Sequence, residues 1–292
     1  MPSSPQAAAT LSPIAREVQR VDPDRFLTAL FAPAECREDV LAVYAFNSEI
    51  ARIRETVHEP VLGVMRVQWW RDTLEAIYRD PQAVPAHPVA QALAAAIHRH
   101  TLPQELFDEL LEARERDMDE RPIPDQESLA LYVRCTGGHL ARLVATILCG
   151  HDTSVGEVAG KVGAAYALGG LLRAVPFHAR HDRLYVPTEI LNDHQADIAG
   201  LLTGKIDAGG RSAIAELRAA ATTALHEARD VWKGSVSADH RKAAVAAVLP
   251  GTMAEGYLKR LERAGDDPFE SRLAVPTRRP VTLAWRAWRS TF

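Results

Sequence analysis

The chain has 292 residues, a formal net charge of −4 and an isoelectric point near 6.3. With 47% hydrophobic and 25% charged residues, it has the composition of a globular protein of one large or two medium domains, and its acidity excludes a nucleic-acid binder with a broad electropositive face. Cys36, Cys135 and Cys149 form no CxxC pair, so spacing suggests neither a zinc site nor a disulfide framework, and a reducing compartment is expected.

The first dozen residues, MPSSPQAAATLS, are rich in Ser, Ala and Pro. They lack the basic start and apolar core of a secretory signal, and a disordered arm over residues 1–12 is expected. A single domain is expected over 13–292. It opens with a helix from Pro13 to Val21, and Asp24 is read as the N-cap of a second carrying Phe26, Leu27, Leu30 and Phe31. Val40, Val43, Tyr44, Phe46 and Ile50 recur at helical steps and predict a helix from about Ala34 to Val57. Further helices are predicted over Val61–Arg79, Val89–Arg99 and Gln104 to about Glu120, the last capped by Thr101. Gln126–Cys149 is read as one helix with Gly137-Gly138 inside it.

The stretch Ala164–Pro187, AAYALGGLLRAVPFHARHDRLYVP, starts as a helix of small and apolar residues. Two adjacent glycines, Gly169 and Gly170, each cost a helix roughly 0.5–1 kcal/mol against Ala. They point to a tight helix crossing or to a ligand approaching the backbone. After Pro187 come a short helix near Thr188–Asn192, a loop through Gly204, and helices over Gly210–Trp232, Asp239–Val248 and Met253–Arg263. The tail Pro280–Phe292 places Trp285 and Trp288 on one helix face. No strand pattern and no apolar run near the ~20 residues of a membrane span appear, so the expected class is all-α without a transmembrane segment.

The segment LGGLLRAVPFHARHDRLYVP resembles the second motif helix of the squalene/phytoene synthases, the head-to-head prenyltransferases. Leu168, Leu171, Leu172, Arg173, Val175, Ala179, Arg180, Arg183, Tyr185 and Pro187 hold the frame. Tyr44-Ala45-Phe46, Glu49 and Ile53 similarly match the first motif, and Met118-Asp119 resembles a third element. The resemblance covers most of the chain from Phe26 onward. It implies an isoprenoid-synthase-like helical bundle around a central cavity, with the two motif helices facing each other.

The same resemblance places Ala51, Arg52 and Glu55 where the family's first aspartate-rich motif falls, and Ala174 and His178 where the second does. Ionising an allylic diphosphate requires Mg²⁺ held by hard carboxylate oxygens, and i, i+4 aspartates on facing helices supply them. A lone Glu beside an Arg does not. No cofactor is therefore expected; Mg²⁺ enters only under the alternative, an active phytoene/squalene synthase-like prenyltransferase with an atypical site. Glu105/Glu109 and Asp108/Glu112 also have i, i+4 spacing, on a helix whose acidity reads as a solvated face. Asp119 is the better candidate for a pocket.

What stands in the motif segments is cationic. Arg52 and Arg173 are candidates for an anionic head group, with Gly169 and Gly170 leaving room for an apolar tail such as that of an isoprenoid or lipid phosphate. Glu55, Asp119, His178, Arg180, Arg183 and Tyr185 complete the candidate cavity set. For each a structural reading stands beside the functional one: His178 as a hydrogen-bonded histidine, Arg180 and Arg183 as surface charges, Arg52 paired with Glu49 or Glu55.

A non-catalytic branch of the same family is more similar still, through MRVQWWRDTLEAIYRD, the acidic EARERDMDE helix and the ending AWRAWRSTF. That branch implies a binding or assembly role for respiratory complex I (NADH:quinone oxidoreductase), with its subunits as partners. The expected location is cytoplasmic or peripheral to the inner membrane.

Overall fold

The computed structural model describes residues 11–57, 59–80, 83–273 and 280–292. Residues 1–10 of the expected N-terminal arm lie outside it. Among the described residues every regular element is helical, as expected.

The chain begins with α1 (Pro13–Val21) and α2 (Pro23–Ala29). The cap between them is Asp22, not Asp24: its carboxylate accepts from the Arg25 amide and Pro23 fills the first helical position, where a missing N–H costs nothing. Next come α3 (Ala34–Ala51) and the four-residue α4 (Ile53–Thr56). The expected single helix to Val57 breaks at Arg52, whose φ of −97° and ψ of 1° end the α-helical ladder. Then follow α5 (Pro60–Arg79), α6 (Pro88–His100) and α7 (Gln104–Glu115), with a 3₁₀ turn at Arg116–Met118. Thr101 does not start α7; it closes α6 in the left-handed region, at φ 50°.

The helix expected over Gln126–Cys149 is α8 (Gln126–Val133) and α9 (His139–Cys149) joined by a π-helical turn, Arg134–Gly138. The focal helix is α10 (Thr153–Ala179), which carries Pro176 inside its last turn. It is followed by α11 (Thr188–Asp193), α12 (Ile198–Leu202) where a loop was expected, α13 (Ala208–Gly234), α14 (Ala238–Val248), α15 (Pro250–Arg263) and α16 (Pro280–Trp288).

Two helices are apolar on nearly every side and sit in the core for that reason. On α3 all residues from Asp39 to Ser48 are buried. Phe46 packs edge-on against Trp70 of α5 and Phe107 of α7, at ring distances of 4.9 and 5.5 Å. The other is α10, which packs against α9, α13 and α15. It is the one described helix long and apolar enough to cross a membrane; half of that stretch is buried against its neighbours. One contiguous apolar cluster extends from Ala15 to Phe292.

Small residues do set a tight crossing on α10, nearly two turns before the expected glycines. Gly163 lies against the Gly137 carbonyl and Ala141, and Gly137 lies against the Gly163 carbonyl and Ala167. Neither has room for a Cβ. Gly169 makes ordinary contact with Ala254 and Leu258 of α15, and Gly170 faces open space.

Candidate functional site

The helices that carry the two motif segments meet on a single side chain. Arg25 of α2 lies between them, its guanidinium 5.9 Å from the Tyr44 ring on α3 and 4.8 Å from the Tyr166 ring on α10. It donates to Asp22 at 2.7 Å. Burial works against its charge, but Asp22 and the two phenols outweigh that and hold it protonated. Burial also lifts the Tyr44 hydroxyl to about 12. At this point a cation–π sandwich fills the gap between α3 and α10.

Arg173 reinforces that plug from outside. It is paired with Asp24 of α2 at 3.1 Å, with 52% of its side chain exposed; neither Asp119 nor Glu55 is its partner. Arg52 turns elsewhere, lies 3.9 Å from Glu55, and lines a cleft of about 470 Å³ formed by α1, α3, α4, α5 and His87. No residue of α10 reaches that cleft. Its side chains from α3, Ala45, Ser48 and Glu49, and from the C-cap Arg52 fall roughly a quarter turn round the helix from Tyr44. Arg52 and Arg173 thus do not share one cavity.

The cleft has an aromatic wall and a mixed polar rim. His87 stacks edge-on against Trp69 and Trp70 at 5.2 and 5.7 Å. Its Nδ1 accepts from the Ala90 amide, which leaves Nε2 as the N–H, 3.7 Å from Glu49 Oε1. Burial, with Glu17 nearby, raises the Glu49 carboxyl to about 7. Burial likewise holds His87 below its ordinary value. Glu17 is instead lowered, chiefly by its bond from Arg20. Neither His87 nor the cleft itself was singled out from sequence.

The remaining candidates gather around a different aspartate. Asp119 is on the surface side, clamped by Arg121 at 2.6 Å and pushed down to about 2 by those bonds. Asp117 is the buried one. It accepts from the Tyr132 and Tyr185 hydroxyls at 2.8 and 2.7 Å and from Arg114 at 3.2 Å. Arg183 spans the carbonyls of Asp117 and Asp119 at 2.6 Å each. His178 packs on the Tyr185 ring at 4.6 Å; its Nδ1 is buried without a partner and burial lowers it to about 4. It is therefore neutral at pH 7. Arg180 is exposed. The 3₁₀ turn at Arg116–Met118 aims Asp117 inward, and the sequence RDMD offered two aspartates without saying which.

Between α3 and α10, about two helical turns before positions 51 and 174, stand Arg25, Tyr44 and Tyr166, a cation and two phenols that do not themselves hold a divalent ion. Among the described residues one group of three potential ligands comes together, Glu109, Cys135 and His139, on α7, the π turn and α9. Glu109 is not merely a solvated charge: it accepts from His139 Nε2 at 2.6 Å and lies 3.8 Å from Cys135 Sγ. That bond lowers Glu109, while burial keeps His139 neutral. A neutral imidazole bonded to a carboxylate accounts for the arrangement.

Comparison with known proteins follows this geometry. The squalene/phytoene synthase family model matches residues 18–286. Human NADH dehydrogenase (ubiquinone) complex I, assembly factor 6 is 30% identical over 276 residues, 94% of this chain and 81% of that protein. The phytoene synthase of Thermus thermophilus is 28% identical over 244 residues, 83% of this chain and 80% of its own. A dehydrosqualene synthase crystal structure superposes with a TM-score of 0.80 at 17% identity, covering 94% of each chain, a likeness of fold. With the family model spanning nearly the whole chain, the protein belongs to the squalene/phytoene synthase family.

Proposed function

We propose that this chain is a non-catalytic member of the family that supports assembly of respiratory NADH:quinone oxidoreductase by binding. The observation that carries the reading is Arg25, sandwiched between Tyr44 and Tyr166. A largely buried cation there opposes a Mg²⁺ cluster between the two helices electrostatically. Ala51, Arg52, Ala174 and His178 supply no carboxylate to counter it. The relatives named complex I assembly factor 6, matching 94% of the chain, support the assembly role over the synthase role of the Thermus relative.

Two measurements test this. Purified protein with Mg²⁺ and farnesyl or geranylgeranyl diphosphate is expected to release no diphosphate; release that is lost in Glu55→Gln supports the synthase alternative and overturns the proposal. Deleting the gene in its host is expected to lower the amount of assembled NADH:quinone oxidoreductase in membranes. Wild type and Glu55→Gln are expected to restore it equally, since no metal-dependent step is involved. Unchanged complex levels after deletion reject the assembly role.

A further inference from the structure

The C-terminal helix α16 is held rigidly while its most apolar face points away from the protein. Leu283 is fully buried against Val245 and Leu249 of α14, with Ala287 beside it. Residues 281, 285 and 288, at i, i+4 and i+7, fall on the opposite side of a 3.6-residue helix. They are Val281, Trp285 and Trp288, exposed to 81%, 53% and 79%. Single exposed apolar residues are ordinary, but three in one stripe with two tryptophans make a patch.

The patch is not a frayed end. Phe292 is buried against Trp232 at a ring distance of 6.1 Å. Its carbonyl accepts from Arg229 at 2.8 Å and Arg286 at 3.0 Å, and the Ser290 carbonyl accepts from the Trp232 indole at 2.9 Å. These bonds lock the segment after α16 and fix the rotation of the helix, so both indoles stay outward. Arg286 is spent on this anchoring and on Glu255 at 3.8 Å. Arg289 lies at the edge of the patch, 5.4 Å from the Trp285 ring.

Along 280–292 the charged side chains are Arg286 and Arg289, 5.9 and 5.4 Å from the Trp285 ring, in a chain whose net charge is −4. Indole rings with arginines beside them suit the headgroup level of a bilayer, where an apolar body and a polar edge are both satisfied. Local positive charge on an acidic protein selects an anionic surface over a zwitterionic one.

We propose that α16 is a docking face for an anionic lipid bilayer, with Val281, Trp285 and Trp288 entering the interface and Arg289 facing the headgroup charge. This is independent of the assembly role. The test is flotation of the full chain with vesicles of phosphatidylcholine alone and of phosphatidylcholine with phosphatidylglycerol, read together with tryptophan fluorescence. Wild type is expected to float with the anionic vesicles, with a blue-shifted emission, and to bind them about tenfold or more tightly than the neutral ones. Added salt is expected to weaken the binding.

Trp285→Ser/Trp288→Ser is expected to lose about tenfold or more in binding and the blue shift, with its melting temperature within a degree or two of wild type because both side chains are exposed. Arg289→Glu is expected to lower binding to anionic vesicles and leave the weak binding to neutral ones unchanged. Failure of wild type to float, equal binding to both vesicle types, or undiminished binding of the double variant overturns the proposal.

Discussion

At the scale of single residues, two partly buried titratable groups give opposite pH signatures. His178 is pushed from 6.5 to about 4 in the folded chain, so between those values the unfolded chain binds the extra proton. Its contribution to stability is present above pH 6.5 and is lost as pH falls toward 4. Glu49 is raised from 4.5 to about 7; its contribution is present below pH 4.5 and is lost as pH rises through 7. Thermal melts from pH 4 to 8 separate them. His178→Phe is expected to flatten the acid side of the profile, and Glu49→Gln is expected to raise the melting temperature at pH 8 with little change near pH 4.5. If Glu49→Gln leaves the pH 8 value unmoved, the cleft does not desolvate that carboxyl. Arg25 has a larger effect. Its side chain and that of Asp22 are 15% and 16% exposed, and breaking a buried pair from one side costs about 3 kcal/mol. Denaturant unfolding of Arg25→Ala is expected to show that loss, and a cycle with Asp22→Ala is expected to show strong coupling.

At the scale of elements, the glycines of α10 divide by neighbour rather than by sequence. Gly163→Ala places a methyl against the Gly137 carbonyl and Ala141 and is expected to cost about 2 kcal/mol or more, as overpacking does. Gly170→Ala meets nothing and is expected to stabilise by about 0.5–1 kcal/mol through helix propensity. Equal effects in melting experiments reject the assignment of the crossing. A tight helix crossing was legible in the small residues of this segment, but its register was not. The small residues serve two partners: Gly163 meets the π turn at Arg134–Gly138 and α9, while Gly169 meets α15, and the sequence of α10 alone does not say which partner comes closer. Helix existence was legible in the same way, through the three- and four-residue apolar steps of α3 and the Pro and Gly breaks. Caps were misassigned at Asp24 and Thr101 because each sits two residues from the residue that holds the position, Asp22 and Pro103.

At the scale of the whole molecule, the bundle was legible from frames matched at separated places, while the connections inside it were not. Arg173 meets Asp24 across 149 residues of sequence, and Tyr185 meets Asp117 across 68; no local pattern announces such pairs. The cleft beside α5 escaped for the same reason, since Glu17, Glu49, Trp69 and His87 come from four separate segments. The sandwiched Arg25 also bears on how such a protein changes over time. It is held at once by Asp22 and by tyrosines on α3 and α10, so a change at any one of these four positions strands the others, and they are expected to change together or not at all.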